Sequence, residues 1–160
     1  MLEIRGIIRN TKARLTGGKA DIQVEGICID SRVIKAGEAF LALKGRNFNG
    51  HDFIGEAVKK GATCVITESK VRRQKNGVTY LLVKDTTRAL GDIARYWRNK
   101  FNAPVIALTG SNGKTTAKEM LACLLSAKFK VLKNEGTKNN HIGVPLTLLK
   151  LNKSHEIAVL

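Results

Sequence analysis

The chain has 160 residues, 43% hydrophobic and 26% charged, with 28 Lys and Arg against 13 Asp and Glu for a formal net charge of +15. That length buries one ordinary core or two small ones, and the composition is that of a soluble globular protein. No apolar run approaches the ~18 residues of a membrane span, and the opening MLEIRGIIRN sets Glu3 and Arg5 inside its apolar stretch, which excludes a signal peptide.

In chain order, residues 22–29 alternate enough to predict a strand, residues 35–38 are turn chemistry, and residues 39–43 predict a second strand. Residues 51–60 carry Phe53, Ile54, Ala57 and Val58 at helical spacing, with Gly61 as the stop. Two short strands follow at 63–67 and 79–83, separated by the polar stretch 68–77, whose Lys70, Arg72, Arg73 and Lys75 predict a solvated loop. Around Asp85 an N-cap opens a helix to about Phe101. Its stripe of Leu90, Ile93, Ala94, Trp97 and Phe101 faces a core, which makes Trp97 a core residue rather than a ligand platform. Pro104 marks the next boundary, so residues 1–84 are expected as one domain, 85–103 as a connecting helix and 104–160 as a second domain.

Residues 105–116, VIALTGSNGKTT, are the most informative of the chain. Four apolar residues suit a buried strand, Gly110 and Gly113 allow a sharp turn with backbone N–H groups close to an anion, and 117–125 predicts a helix aimed at that anion. Strand, glycine loop, lysine and helix start together form a phosphate cradle. Gly110, Ser111, Asn112, Gly113, Lys114, Thr115 and Thr116 are therefore the candidate ATP-binding residues. Lys114 serves the β/γ-phosphates as the catalytic cation, and the Thr115 hydroxyl is the ligand to Mg²⁺. The spelling is G-x-x-G-K-T; the commoner G-x-x-x-x-G-K-[ST] needs glycine where Leu108 stands. The alternative is a plain strand-to-helix turn with an incidental lysine.

Beyond the loop, 130–133 predicts a short strand, 134–145 a polar turn region, 146–151 a helix start and 157–160 a further apolar run. The fold class is therefore α/β: a small mixed amino-terminal domain, then the first part of a P-loop, mostly parallel, doubly wound ATPase domain whose βαβαβ unit has just begun. Cys28, Cys64 and Cys123 are far apart, odd in number and set among apolar residues, which predicts buried, reduced thiols in a cytoplasmic protein. His51, His141 and His155 have no metal-ligand spacing. The net charge admits a basic, non-catalytic nucleic-acid-binding module. Against it, the basic residues are scattered, and one Trp, two Tyr and five Phe do not interleave with Lys and Arg as stacking platforms do. A basic surface equally steers an anionic nucleotide.

Three segments, DSRVIKAGEAFLALKGRNFNGHDFIGEAVKKGA (30–62), ALTGSNGKTTAKEML (107–121) and NEGTKNNHIGVPLTLL (134–149), resemble the Mur ligases of peptidoglycan synthesis. The last segment favours the branch that adds D-alanyl-D-alanine. The glycine loop alone fits every Mur ligase and the folylpolyglutamate synthases, which lack the domain carrying 30–62. The resemblance covers the chain from about residue 24 onward. It implies that ATP, with Mg²⁺, phosphorylates the terminal carboxylate of a UDP-N-acetylmuramoyl tripeptide, and that the amine of D-Ala-D-Ala displaces the phosphate. It also implies that Ser31 and Arg32 contact the UDP end, where an Arg fork can bind a diphosphate bidentately; the alternative is an exposed turn. In the same reading the neutral amides of Asn139 and Asn140 are candidates to orient phosphate or carboxylate oxygens, with turn formation as their alternative; His51, after an Asn-Gly turn, is expected in a helix-capping or structural role. Full ligases of this kind are longer, so the resemblance implies an amino-terminal piece without turnover of its own. The full enzyme is expected as a monomer with no nucleic-acid or membrane partner.

Overall fold

The computed structural model describes residues 1–45, 48–136 and 139–160. They form two compact units, Met1–Tyr96 and Trp97–Leu160. Both are mixed α/β, and most strand pairs are parallel. Among the described residues, no helix is long and apolar enough to cross a membrane.

The first unit begins with β1 (Leu2–Glu3), α1 (Ile4–Thr11), β2 (Arg14–Gly17), β3 (Gln23–Val24), β4 (Ile27–Cys28) and β5 (Ala39–Leu41). A 3-10 turn (Gly50–Phe53) leads into α2 (Ile54–Lys59), followed by β6 (Cys64–Thr67), β7 (Thr79–Leu82) and α3 (Thr86–Arg98), whose last two residues belong to the second unit. Five strands form one sheet in the order β2-β7-β6-β5-β4, parallel except for β2, which runs antiparallel along β7. Every residue of β5 and β6 is buried. Central parallel strands are covered on both faces, so they read as continuous apolar runs rather than alternations. Phe40, Val65 and Tyr80 share one core cluster with Ile54, Ala57 and Val58 of α2. Asp85 Oδ1 accepts the Arg88 N–H at 2.8 Å, the N-cap that starts α3, and Ala89, Leu90, Ile93 and Ala94 are buried.

The second unit holds β8 (Val105–Ile106), α4 (Lys114–Ser126), β9 (Val131–Lys133), α5 (Gly143–Leu148) and β10 (Ile157–Val159). Its sheet is parallel in the order β8-β10-β9, with Ala158 opposite both Val105 and Leu132. Leu132, Leu151 and Ala158 form the core, with Trp97, Phe101, Ala103 and Val105 packed against it. The Trp97 indole N–H donates to the Leu151 carbonyl at 2.8 Å, and its ring meets Phe101 edge-on at 5.2 Å. Trp97 is half-buried and packs against this core, on the structural side of the expectation drawn from the helical stripe.

Several expectations change. The strand expected over 22–29 is two strands, because β3 pairs with β1 while β4 pairs with β5. Between them the Glu25 N–H donates to Gly37 O and Gly26 O accepts from Ala39, so the chain changes sheets at that point. The strand expected to be buried over 105–108 keeps ladder pairing only at Val105–Ile106 and is half-exposed, since β8 lies at an edge with β10 as its neighbour. α4 starts at Lys114 rather than 117. α5 starts at Gly143 rather than 146, because Pro145 sits in its first turn, where a missing N–H costs nothing. Within the turn region 134–145, residues 137–138 lie outside the described residues. Of the three thiols, Cys64 is buried and Cys28 half-buried, whereas Cys123 is exposed on α4. Burial pushes the Cys64 thiol far up.

Candidate functional site

The glycine loop leaves β8 after the Leu108 N–H bonds to Leu160 O at 2.9 Å. Gly110 has φ 145° and Gly113 φ 75°, conformations a residue with a Cβ rarely adopts. A Cβ at Gly113 would meet nothing within 4 Å, and at Gly110 only Asn112 O at 3.9 Å. Backbone conformation, not crowding, therefore dictates both glycines, and the loop's outer side is open. Gly113 is the N-cap of the 13-residue α4, which has neither a capping side chain nor an acid in its first turn.

The first hydrogen bond of α4 runs from Ala117 N–H to Gly113 O at 2.9 Å. Lys114, Thr115 and Thr116 precede it, so their N–H groups have no partner inside the helix. A helix start carries roughly +0.5 charge and is normally compensated by an acid or an anion. Here a lysine stands in that first turn instead. The Lys114 ammonium donates to Gly110 O and to Ser111 O (3.2 Å for the latter), curling back over the loop. Two sources of positive charge thus converge on an open glycine turn, and the residues present fit a polyphosphate.

Thr115, Lys114, Lys118, Asn134, Gly136 and Asn139 line a notch of about 20 Å³ beside the loop, room for about one water molecule. A nucleotide would therefore lie along the loop's open side rather than inside the notch. Among the described residues, no group of three or more His, Cys, Asp or Glu could hold a metal. Mg²⁺ would take Thr115 together with phosphate and water oxygens, as Mg²⁺ commonly does. Asn139 is exposed on this notch. Asn140 is not among its lining residues; its Oδ1 accepts the N–H groups of Ile142 (3.0 Å) and Gly143 (2.8 Å), forming the turn that leads into α5.

The first unit carries a second concavity, about 480 Å³, lined by Ile29, Phe40, Leu43, Phe48 and Phe53, with Asp30, Ser31 and Arg32 also in its wall. That volume and lining suit a small organic ligand. Phe48 is 75% exposed and Phe53 39%, a cost in apolar exposure that a ring-bearing ligand would relieve. Arg32 forks onto Asp30, Nε to Oδ1 at 2.9 Å and Nη2 to Oδ2 at 2.7 Å. This contact holds the Asp30 carboxyl down at about 2. Ser31 is buried and its hydroxyl donates to Glu56 Oε2 at 2.8 Å. Glu56 is held below the usual carboxylate range by Lys60 first and Ser31 second.

The two residues expected at a UDP end therefore lie at one pocket. The Arg32 guanidinium is exposed but its fork is held by Asp30, and the Ser31 hydroxyl is engaged by Glu56. His51 is structural here: its Nε2 accepts the Glu68 N–H at 3.1 Å, and its Nδ1 is 2.8 Å from Asn49 Oδ1. These two contacts pin the pocket's 48–50 edge to the end of β6. Phe48 carries no signal in the sequence beyond preceding Asn49-Gly50, and Phe53, read with the apolar face of the 51–60 helix, instead ends the 3-10 turn and lines the pocket, because exposure of an aromatic ring is a tertiary property.

Both units match known proteins. Residues 23–98 match the model of the Mur ligase family, catalytic domain, and residues 108–160 match the Mur ligase middle domain. A UDP-N-acetylmuramoyl-tripeptide–D-alanyl-D-alanine ligase of Synechocystis is 41% identical over 159 residues, 99% of this chain and 35% of that protein. A crystal structure of MurF from Acinetobacter baumannii superposes with a TM-score of 0.91 at 37% identity, covering 99% of this chain and 35% of that one. MurF ligase from Thermotoga maritima, solved in complex with ADP, gives a TM-score of 0.76 at 38% identity over 84% of this chain and 31% of that one. The chain spans about a third of the length of these relatives.

Proposed function

This chain belongs to the Mur ligase family, and on that premise we propose that it is part of a ligase adding D-alanyl-D-alanine to a UDP-N-acetylmuramoyl tripeptide. In this reading Met1–Tyr96 binds the UDP end of the substrate, and Trp97–Leu160 holds the polyphosphate of ATP. The observation that carries the reading is the open glycine turn on which Lys114 and the uncapped start of α4 converge. When bound, ATP with Mg²⁺ supplies the phosphoryl group that turns a carboxylate into an acyl phosphate for attack by the D-Ala-D-Ala amine.

The residues divide the work by charge. A phosphoryl group moving to a carboxylate brings two anions together, and catalysis rests on neutralising and positioning them. Lys114, held against the loop by Gly110 and Ser111 carbonyls, keeps its charge where a polyphosphate would lie. The N–H groups of Lys114, Thr115 and Thr116 add a fixed dipole, and the Thr115 hydroxyl is a neutral oxygen donor for Mg²⁺. Asn139, beside Thr115 at the notch, supplies an amide that orients oxygens without competing for the metal. In the first unit, Arg32 reads a diphosphate bidentately by sharing or exchanging its fork with Asp30, and Phe48 and Phe53 cover the base.

Titrating UDP-N-acetylmuramoyl tripeptide into the chain, with Arg32→Ala and Phe48→Ala as controls, tests the substrate assignment. Binding weakened about tenfold by each substitution is expected; affinity indifferent to both would remove the pocket from the reaction.

A further inference from the structure

Lys118 lies one turn after Lys114 on α4, in a stretch (AKEML) that reads as an ordinary helix surface. Its side chain is 5% exposed. A lysine can normally reach water by extending its four-carbon stem, yet this one is turned inward and all three of its N–H donors are used. The ammonium donates to Asn134 O at 2.8 Å and Gly136 O at 3.1 Å, and ion-pairs with Glu119 Oε1 at 3.0 Å. Glu119 in turn receives Lys133 of β9 through its other oxygen. Leucine or methionine would fill the same volume without desolvating a charge, so packing alone does not account for a lysine. What the ammonium adds is a fixed hold on two main-chain carbonyls of the 134–136 segment. That segment leads to Asn139, which shares the notch with Lys114, Thr115 and Lys118 itself.

We propose that Lys118 is a positioning residue that ties the 134–136 segment to the phosphate-loop helix and so presents Asn139 to the polyphosphate and metal end of a bound nucleotide. The inference rests on the nucleotide reading given above and deepens it. Lys118 touches neither nucleotide nor metal in this role. It acts through Asn139, which separates it from Lys114, whose ammonium faces the loop. The carbonyl pair also demands a compact cation with divergent donors, which arginine's planar fork supplies only in part.

The test is calorimetric titration of Mg²⁺–ADP into the full chain and its Lys118→Met, Lys118→Arg, Asn139→Ala and Lys118→Met/Asn139→Ala variants. Trp97 emission verifies that the second unit is folded in each, and Lys118→Gln replaces Lys118→Met if that emission is lost. Lys118→Met is expected to weaken ADP about tenfold, Lys118→Arg less. The double variant is expected to be no weaker than Lys118→Met alone, because Asn139 is already misplaced. Wild-type affinity in a folded Lys118→Met chain overturns the proposal, as does a double variant whose loss is the product of the two single losses. Lys114→Ala separates this from the underlying reading. If Lys114→Ala weakens ADP and Lys118→Met does not, the positioning role alone fails. If neither matters, or the wild-type chain binds no ADP at millimolar concentration, the nucleotide reading and this inference fall together.

Discussion

Replacing Leu151 by alanine truncates a large, fully buried apolar side chain of the second unit. Leu151 is 1% exposed and shares its cluster with Leu132 and Ala158. Truncating a buried leucine to alanine costs about 2–5 kcal/mol, depending on how far the site collapses. Natural stability of roughly 0.05–0.15 kcal/mol per residue gives on the order of 3–10 kcal/mol for a unit the size of Trp97–Leu160. One truncation thus consumes a large share of it. The chain's one Trp bonds to the Leu151 carbonyl and packs on Phe101, so its fluorescence reports this unit directly. In urea, the Leu151→Ala Trp97 transition is expected to move to markedly lower denaturant, while far-UV circular dichroism keeps the contribution of the first unit's sheet. An unchanged Trp97 transition would refute the idea that Leu151 anchors the core against which Trp97 packs.

The Asp30 carboxylate is expected to titrate by NMR near 2 and, in Arg32→Ala, to return toward the ordinary value of about 3.9. Its folded pKa is depressed, so its small stabilising effect is complete above about pH 4 and fades as pH falls toward 2; a midpoint unmoved by Arg32→Ala would contradict the fork. Thiol labelling at neutral pH is expected to modify exposed Cys123 first, half-buried Cys28 more slowly, and buried Cys64 only on unfolding; early Cys64 labelling would show that β6 is not the sealed strand described.

What was legible in the sequence was local. The phosphate loop is legible because its glycines, lysine and helix start are contiguous, and β5, β6 and α2 because each has a clear apolar period or run. What depended on tertiary structure was not. Residues 1–17 hold a two-residue strand, an eight-residue helix and an edge strand, each too short for periodicity to register. The break between β3 and β4 is invisible because both halves are extended and only their partners differ. Ser31 was readable as a polar residue beside Arg32, but the engagement of its hydroxyl by Glu56, 25 positions away, was not. Lys118 shows the same limit most sharply: a charged residue among helix formers reads as solvated, and only the fold around 134–136 buries it.

The account's central claim is that Lys114 and the uncapped start of α4 hold a polyphosphate. Calorimetric titration of ATP, ADP and adenosine into the chain and its Lys114→Ala variant tests it most directly. Binding that strengthens with each added phosphate, and that falls at least tenfold in Lys114→Ala while adenosine stays weak in both, is the expected result. Tight adenosine binding, or ATP affinity indifferent to Lys114→Ala, would contradict it.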